Sequence, residues 1–239
     1  MAGTLRLGAI PTIAPFLLPF LLPVVRQRHP ALRLALREDL SGNLMQRLAE
    51  GELDFAILAL PYETEGMMVQ ALFDDDLWLV APRSDPQLTA EQVDLSQALV
   101  DRLLFLEEGH CLRDHALQVC KPSRLSQADG IEATSLLTLV QMVESGLGLA
   151  LVPQMAVQAG LLNSTHLQSH PLAEPAPRRT VALIARKSTA RVAEFKALAD
   201  DIVEIHRRRN ARGTLLAGTF SREIHQTDTS GTLVPRVLT

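Results

Sequence analysis

The sequence has no apolar run long enough to cross a bilayer. Its most apolar stretch, residues 10–25, is interrupted by Pro11, Pro15, Pro19 and Pro23, and it falls short of the roughly 20 residues that a membrane helix needs. No basic start leads into a short apolar core and a small-residue cleavage site, so a secretory leader is not legible. The expectation is a cytoplasmic protein with no membrane partner. An excess of positive charge is missing too. Net charge is −4 and the sequence pI about 6.0, whereas a free-standing nucleic-acid binder usually carries a basic face. The one basic run, Arg207-Arg208-Arg209, reads as the solvated end of a helix, where the helix dipole favours cations. Cysteine is scarce: Cys111 and Cys120 are the two present, too few for a disulfide framework. They are open to three readings: unrelated core residues, metal ligands or a redox pair. A spacing of nine matches none of the usual zinc patterns, so no metal and no cofactor is expected.

What the sequence does have is the composition of a globular protein, 47% apolar and 21% charged over 239 residues, enough for two small domains or one large one. Residues 4–9 and 32–36 alternate as strands do. Residues 13–29 predict a helix, with Pro15 and Pro19 near its beginning, a body over 20–28, and Pro30 as its stop. Ser41 reads as the N-cap of a helix whose apolar face is Leu44, Met45 and Leu48. Residues 53–60 form a near-continuous apolar run, as a buried parallel strand does. Further strands are predicted at 77–81, 103–106, 149–152 and 181–185, and helices at 112–120, 135–144 and 191–208. Such alternation of strand and helix predicts an α/β fold with helices on both sheet faces, arranged as two units. Residues 209–239 turn rich in Thr, Ser, Gly and Arg, lose periodicity and read as a flexible tail.

The strongest local signal is Glu107-Glu108-Gly109-His110-Cys111-Leu112-Arg113-Asp114. A strand ends, a glycine turns the chain, and a helix begins at or just after the cysteine. A thiol there faces open backbone N–H groups and the positive end of the helix dipole, which favour the thiolate. His110 and Arg113 can add cationic or hydrogen-bonding support, while Glu107 and Glu108 oppose it. A thiolate is the species that attacks a peroxide; the competing reading is a buried structural cysteine. In one unbroken helix, nine steps would separate the two cysteines by ~13.5 Å and set them on opposite faces. A disulfide needs Cα atoms within about 7 Å. If the cysteines are a redox pair, the segment between them must unwind for them to join. His115, one turn after Cys111, reads as solvated. A second signal is Ile10-Pro11-Thr12 at the carboxyl end of the first strand, where open α/β sheets bind ligands. Ser41 and Thr134-Ser135 open helices in the same way, and each fits simple capping equally well.

These residues resemble a known family. Gly109-His110-Cys111-Leu112-Arg113-Asp114 followed by Cys120 is similar to the peroxide-sensing motif of the LysR-type transcription regulators of the OxyR kind. The likeness extends to Ile10-Pro11-Thr12, Pro15-Phe16-Leu17-Leu18-Pro19, Ile57-Leu58-Ala59-Leu60, Ala133-Thr134-Ser135-Leu136 and Pro177-Arg178-Arg179-Thr180. It implies two Rossmann-like subdomains resembling periplasmic binding proteins, the LysR-type effector domain, with the chain crossing twice between them. Residues 4–76 and 181–208 would form the first subdomain, and 77–180 the second, carrying both cysteines. It implies Cys111 as the peroxidatic residue and Cys120 as the resolving one. Thr12, His110 and Asp114 match residues of the peroxide pocket. Ser41 stands where the family commonly has threonine, and Arg179 matches an arginine near the reactive sulfur.

The implied function is hydrogen-peroxide sensing that switches transcription of antioxidant genes, with no enzymatic turnover. The implied partners are hydrogen peroxide, a second copy through the regulatory domain (a tetramer for the full-length protein), and a cellular disulfide reductant. Promoter DNA and RNA polymerase would be partners of the full-length protein only. The family's winged helix-turn-helix is expected to lie outside this chain, which enters its first strand almost at once. Two alternatives stand beside this reading. One is a LysR-type domain that senses a small organic ligand in its interdomain cleft. The other is a thiol peroxidase, which the absence of a Cys-x-x-Cys motif disfavours.

Overall fold

The structure, a computed structural model, describes the backbone of residues 1–88, 92–119, 132–174 and 176–223, and the side chains of these except 97–98, 119 and 212–223. Along the chain the elements are β1 (Gly3–Ala9), α1 (Ala14–Arg28), β2 (Leu32–Glu38), α2 (Ser41–Ala49), β3 (Phe55–Leu60), β4 (Met67–Pro82), α3 (Gln97–Val100) and β5 (Leu103–Leu104). They continue with α4 (Cys111–Val119), α5 (Leu136–Glu144), β6 (Leu149–Pro153), α6 (Gln154–Gln158), β7 (Leu167–His170), β8 (Arg178–Arg186) and α7 (Val192–Glu223).

The α/β class and the double crossing follow from the strand pairings. The strands run in the order β2-β1-β3-β8-β4-β6-β5, with β7 also on β4. β1 pairs in parallel with β2 and β3, and β3 runs antiparallel to β8. β4 is the first crossing. Its residues from Met67 to Asp76 pair with β8, and those from Leu77 onward pair with β6 and β7. β8 carries the chain back. The buried side chains divide into two clusters. The first gathers β1, β3, α1, α2 and α7, and the second gathers the far end of β4 with α4, α5 and β6. In the first, Phe195, Leu198, Ala199, Ile202 and Ile205 line one face of α7 and are buried. Phe195 meets Phe55 edge to face at 5.3 Å, worth ~0.5–1.5 kcal/mol beyond the area buried.

Several sequence expectations change. The α1 helix includes Pro19 and Pro23 in its interior. Pro15, Pro19 and Pro23 are spaced by four and all three are exposed, so the carbonyls left without amide partners lie on the solvent side. The strand expected at 77–81 is the end of a 16-residue one, because the acidic run Asp74-Asp75-Asp76 masks its alternation. β7 was not expected. α7 continues to Glu223, so the flexible tail expected from 209 is helical as far as it is described, and the remainder lies outside the described residues. Arg209 is not a solvated helix end. It donates Nη1 to the Phe16 carbonyl at 2.9 Å and lies 3.9 Å over the Phe20 ring. Among the described residues no helix is long and apolar enough to cross a membrane.

Candidate functional site

Three loops at the carboxyl ends of strands meet at Cys111. The turn after β1 brings Ile10, Pro11 and Thr12; the start of α2 brings Leu40 and Ser41; the turn into α4 brings Gly109, His110 and Cys111. Gly109 has φ +92°, and a Cβ there would come within 3.1 Å of Leu40 Cδ1. A side chain would therefore be strained and would push two of the three loops apart. Together they line a small, tightly packed pocket at the sulfur. Thr12 and Ser41 are 1% exposed, His110 and Cys111 4%.

Cys111 is the first residue of α4, but its side chain belongs to the first core, whereas Leu112 and Ala116 of the same helix belong to the second. The sequence led to a thiol held low by the helix start. Burial instead pushes the Cys111 thiol up. The Arg179 charge, Ser41 and the cysteine's own backbone amide pull it back, and Asp114 adds to the rise. Ser41 is not the N-cap: Leu40 occupies that position, and Ser41 Oγ has no closed hydrogen bond, leaving it free toward the sulfur. Ser135, by contrast, is a cap, accepting from Thr138 N at 3.1 Å.

Arg179 sits on β8 with its side chain fully buried. It donates Nη1 to Thr12 Oγ1 at 2.8 Å and Nη2 to the Thr12 carbonyl at 3.0 Å. It also donates Nε and Nη2 to Asp75 Oδ2 at 3.1 and 3.0 Å. Because Thr12 Oγ1 accepts from the arginine, its own proton is free to turn into the cavity. Asp75 was not singled out from the sequence. Its one signal is phase: it is in step with Leu77, Leu79 and Ala81, all buried.

The remaining expectations divide. His110 lines the cavity and burial pushes its imidazole down, so it acts as a neutral hydrogen-bonding ring and not as a cation. Asp114 is exposed on α4 and is not among the residues lining the cavity; it bears on the sulfur through its charge. Arg113 faces away, donating to the Leu106 carbonyl and Glu132 at 2.9 Å each. His115 is not solvated: it is 4% exposed, and its Nε2 lies 3.3 Å from the Pro61 carbonyl. That contact ties α4 to the segment after β3. Cys120 lies outside the described residues. Among the described residues no cluster of His, Cys, Asp and Glu is arranged to hold a metal.

Residues 1–205 match the model of the LysR substrate binding domain family. The chain is 40% identical over 205 residues to the HTH-type transcriptional regulator EstR of Acinetobacter baylyi, covering 86% of this chain and 68% of that protein. It is 41% identical over 209 residues to a probable hydrogen peroxide-inducible genes activator of Streptomyces viridosporus, covering 86% and 66%. Among solved structures, the reduced form of the regulatory domain of OxyR2 from Vibrio vulnificus superposes with a TM-score of 0.78 at 40% identity, covering 86% of this chain and 96% of that one. The chain thus spans about two thirds of the length of the curated relatives it matches.

Proposed function

The chain belongs to the LysR substrate-binding domain family, a family of transcription regulators and not of enzymes, and from that premise we propose that it is the hydrogen-peroxide-sensing part of such a regulator. The observation that carries the proposal is the enclosure of Cys111 in a cavity lined by Thr12, Ser41 and His110, with Arg179 bonded to Thr12 behind it. A free cysteine packed for stability alone would have apolar neighbours. This one has, beside its apolar neighbours, hydroxyls, an imidazole and a guanidinium charge.

In this reading the Cys111 thiolate attacks one oxygen of hydrogen peroxide. The S–O bond forms, the O–O bond breaks, and hydroxide leaves to take up a proton as water. Thr12 and Ser41 offer O–H donors to the peroxide or to the leaving oxygen, and the Arg179 charge offsets the anion that develops. The resulting sulfenic acid condenses with the Cys120 thiol, forming the disulfide and releasing a second water. A cellular dithiol then returns two electrons and two protons. Because the Cys111 side chain packs in the first core while Leu112 and Ala116 of the same helix pack in the second, the bridge in this reading draws the sulfur out of the first core and unwinds α4. We propose residues 4–76 with 181–208, and residues 77–180, as the two subdomains whose relation this changes. In the full-length protein the change passes through a homo-oligomer to promoter DNA.

The test is to treat the reduced chain with stoichiometric hydrogen peroxide and map its peptides. The expected products are a 111–120 bridge in the unaltered chain, a trappable sulfenic acid in Cys120→Ser, and neither in Cys111→Ser. An unoxidised Cys111 would overturn the proposal in favour of an organic ligand. Sustained peroxide turnover with a small-thiol reductant would favour a peroxidase.

A further inference from the structure

A buried guanidinium has five N–H donors to place, and Arg179 commits four of them. One goes from Nε to Asp75 Oδ2, one from Nη1 to Thr12 Oγ1, and two from Nη2, to the Thr12 carbonyl and Asp75 Oδ2. The one left over is on Nη1, the nitrogen that holds the cavity-lining hydroxyl. This allocation depends on Asp75. It stands directly opposite Arg179 in the antiparallel register of β4 and β8, and the two side chains are 1% and 0% exposed. Its second oxygen, Oδ1, accepts the Met155 amide at 2.9 Å. Burial pushes the Asp75 carboxyl up and the neighbouring Asp76 charge adds to the rise, while Arg179 and the Met155 amide pull it back; each hydrogen bond made to the carboxylate comes from a donor, the arrangement that suits its ionised form.

We propose that Asp75 is a positioning residue of the redox site: it fixes the Arg179 guanidinium where it holds the cavity-lining Thr12 hydroxyl, and its negative charge holds back part of the pull that Arg179 exerts on the Cys111 sulfur. This rests on the reading of Cys111 as the peroxide-reactive thiol and adds the residue that tunes it. The carboxylate thus acts as a brake on the thiolate-favouring pull of Arg179. Other ionisable groups surround the pair. Asp114 and His115 lie on α4, His110 precedes it, Tyr62 follows β3, and Arg209 on α7 feels the Asp75 charge. Burial pushes both histidines down, so neither charges across the range in which the thiol titrates.

The test uses Cys120→Ser protein, which leaves a single thiol, and follows thiolate absorbance against pH. Asp75→Asn keeps the shape and one acceptor oxygen for Arg179, removes the charge, and gives up the acceptor used by the Met155 amide. The thiolate midpoint is expected to move to lower pH by roughly 0.5–1. Asp75→Glu restores the charge and is expected to return the midpoint toward the parent value. Arg179→Gln is expected to raise it, and adding Asp75→Asn to Arg179→Gln is expected to change it little further. A midpoint that stays put or rises in Asp75→Asn overturns the proposal, since loss of a merely structural contact would free the arginine. Should Asp75→Asn not fold, the carboxyl carbon-13 resonance of Asp75 in unaltered protein decides: ionised at neutral pH supports the brake, protonated refutes it. None of these readouts uses peroxide, so failure of Cys111 to react with peroxide would be a separate result.

Discussion

Helices α4 and α5 are nine residues each and both bury an apolar face, yet they are held in opposite ways. α5 is fastened within one core. Ser135 caps it, and Leu136, Leu139, Val140, Met142 and Val143 all pack in the second cluster. α4 is shared. Cys111 packs in the first cluster, Leu112 and Ala116 in the second, and His115 reaches the Pro61 carbonyl, leaving its Nδ1 without a partner. Movement of one core against the other leaves α5 whole but pulls on α4, whose first six residues are held by both. A segment divided between two cores is the one that a single new bond can tip.

The largest expected effect that sharpens this contrast is in α5. Leu139→Ala removes a fully packed side chain and is expected to cost ~2–5 kcal/mol in denaturant melts, with the thiolate midpoint of Cys111 unchanged. If that midpoint moved, the two helices would not be independent. The next effect is acid sensitivity on the α4 side. Burial holds the imidazoles of His110 and His115 below the ordinary 6.5, so folding favours their neutral forms. That stabilisation is complete above pH 6.5 and is lost as pH falls through the folded-state values. Melting temperature is expected to drop below pH 6.5, and less so in His115→Gln; an identical pH profile in that variant would remove His115 from the account. Ser135→Ala is expected to cost ~1 kcal/mol by loss of the cap without altering oxidation. Ser41→Ala, the smallest in stability, is expected to leave melting nearly unchanged because Ser41 Oγ closes no hydrogen bond. It should nonetheless raise the thiolate midpoint and slow oxidation, and the opposite pattern for the two serines would exchange their roles.

Much of the fold was legible because alternation and helical spacing report burial directly. β1, β2, β3 and β6 and helices α2 and α5 lie within a residue or two of where their apolar periods place them. Tertiary context decided the rest. α1 accepts interior prolines because that face meets solvent, and β4 runs through an acidic triplet because Asp75 finds Arg179 across the sheet. At the site, Thr12, Ser41, His110, Cys111 and Arg179 come together around one sulfur. Sequence position alone could not reveal that Cys111 turns away from its own helix into the other core. For that reason the expected low-pKa thiolate is replaced by a thiol that burial pushes up. Arg113 and Asp114 flank the cysteine in sequence, but the helix carries them out of the cavity.

Amide hydrogen exchange measured on α4 and α5 before and after stoichiometric peroxide tests the central claim most directly. The account predicts that oxidation deprotects the α4 amides by an order of magnitude or more while those of α5 keep their protection. Equal change in both helices, or α4 as protected in the bridged protein as in the reduced one, would contradict it.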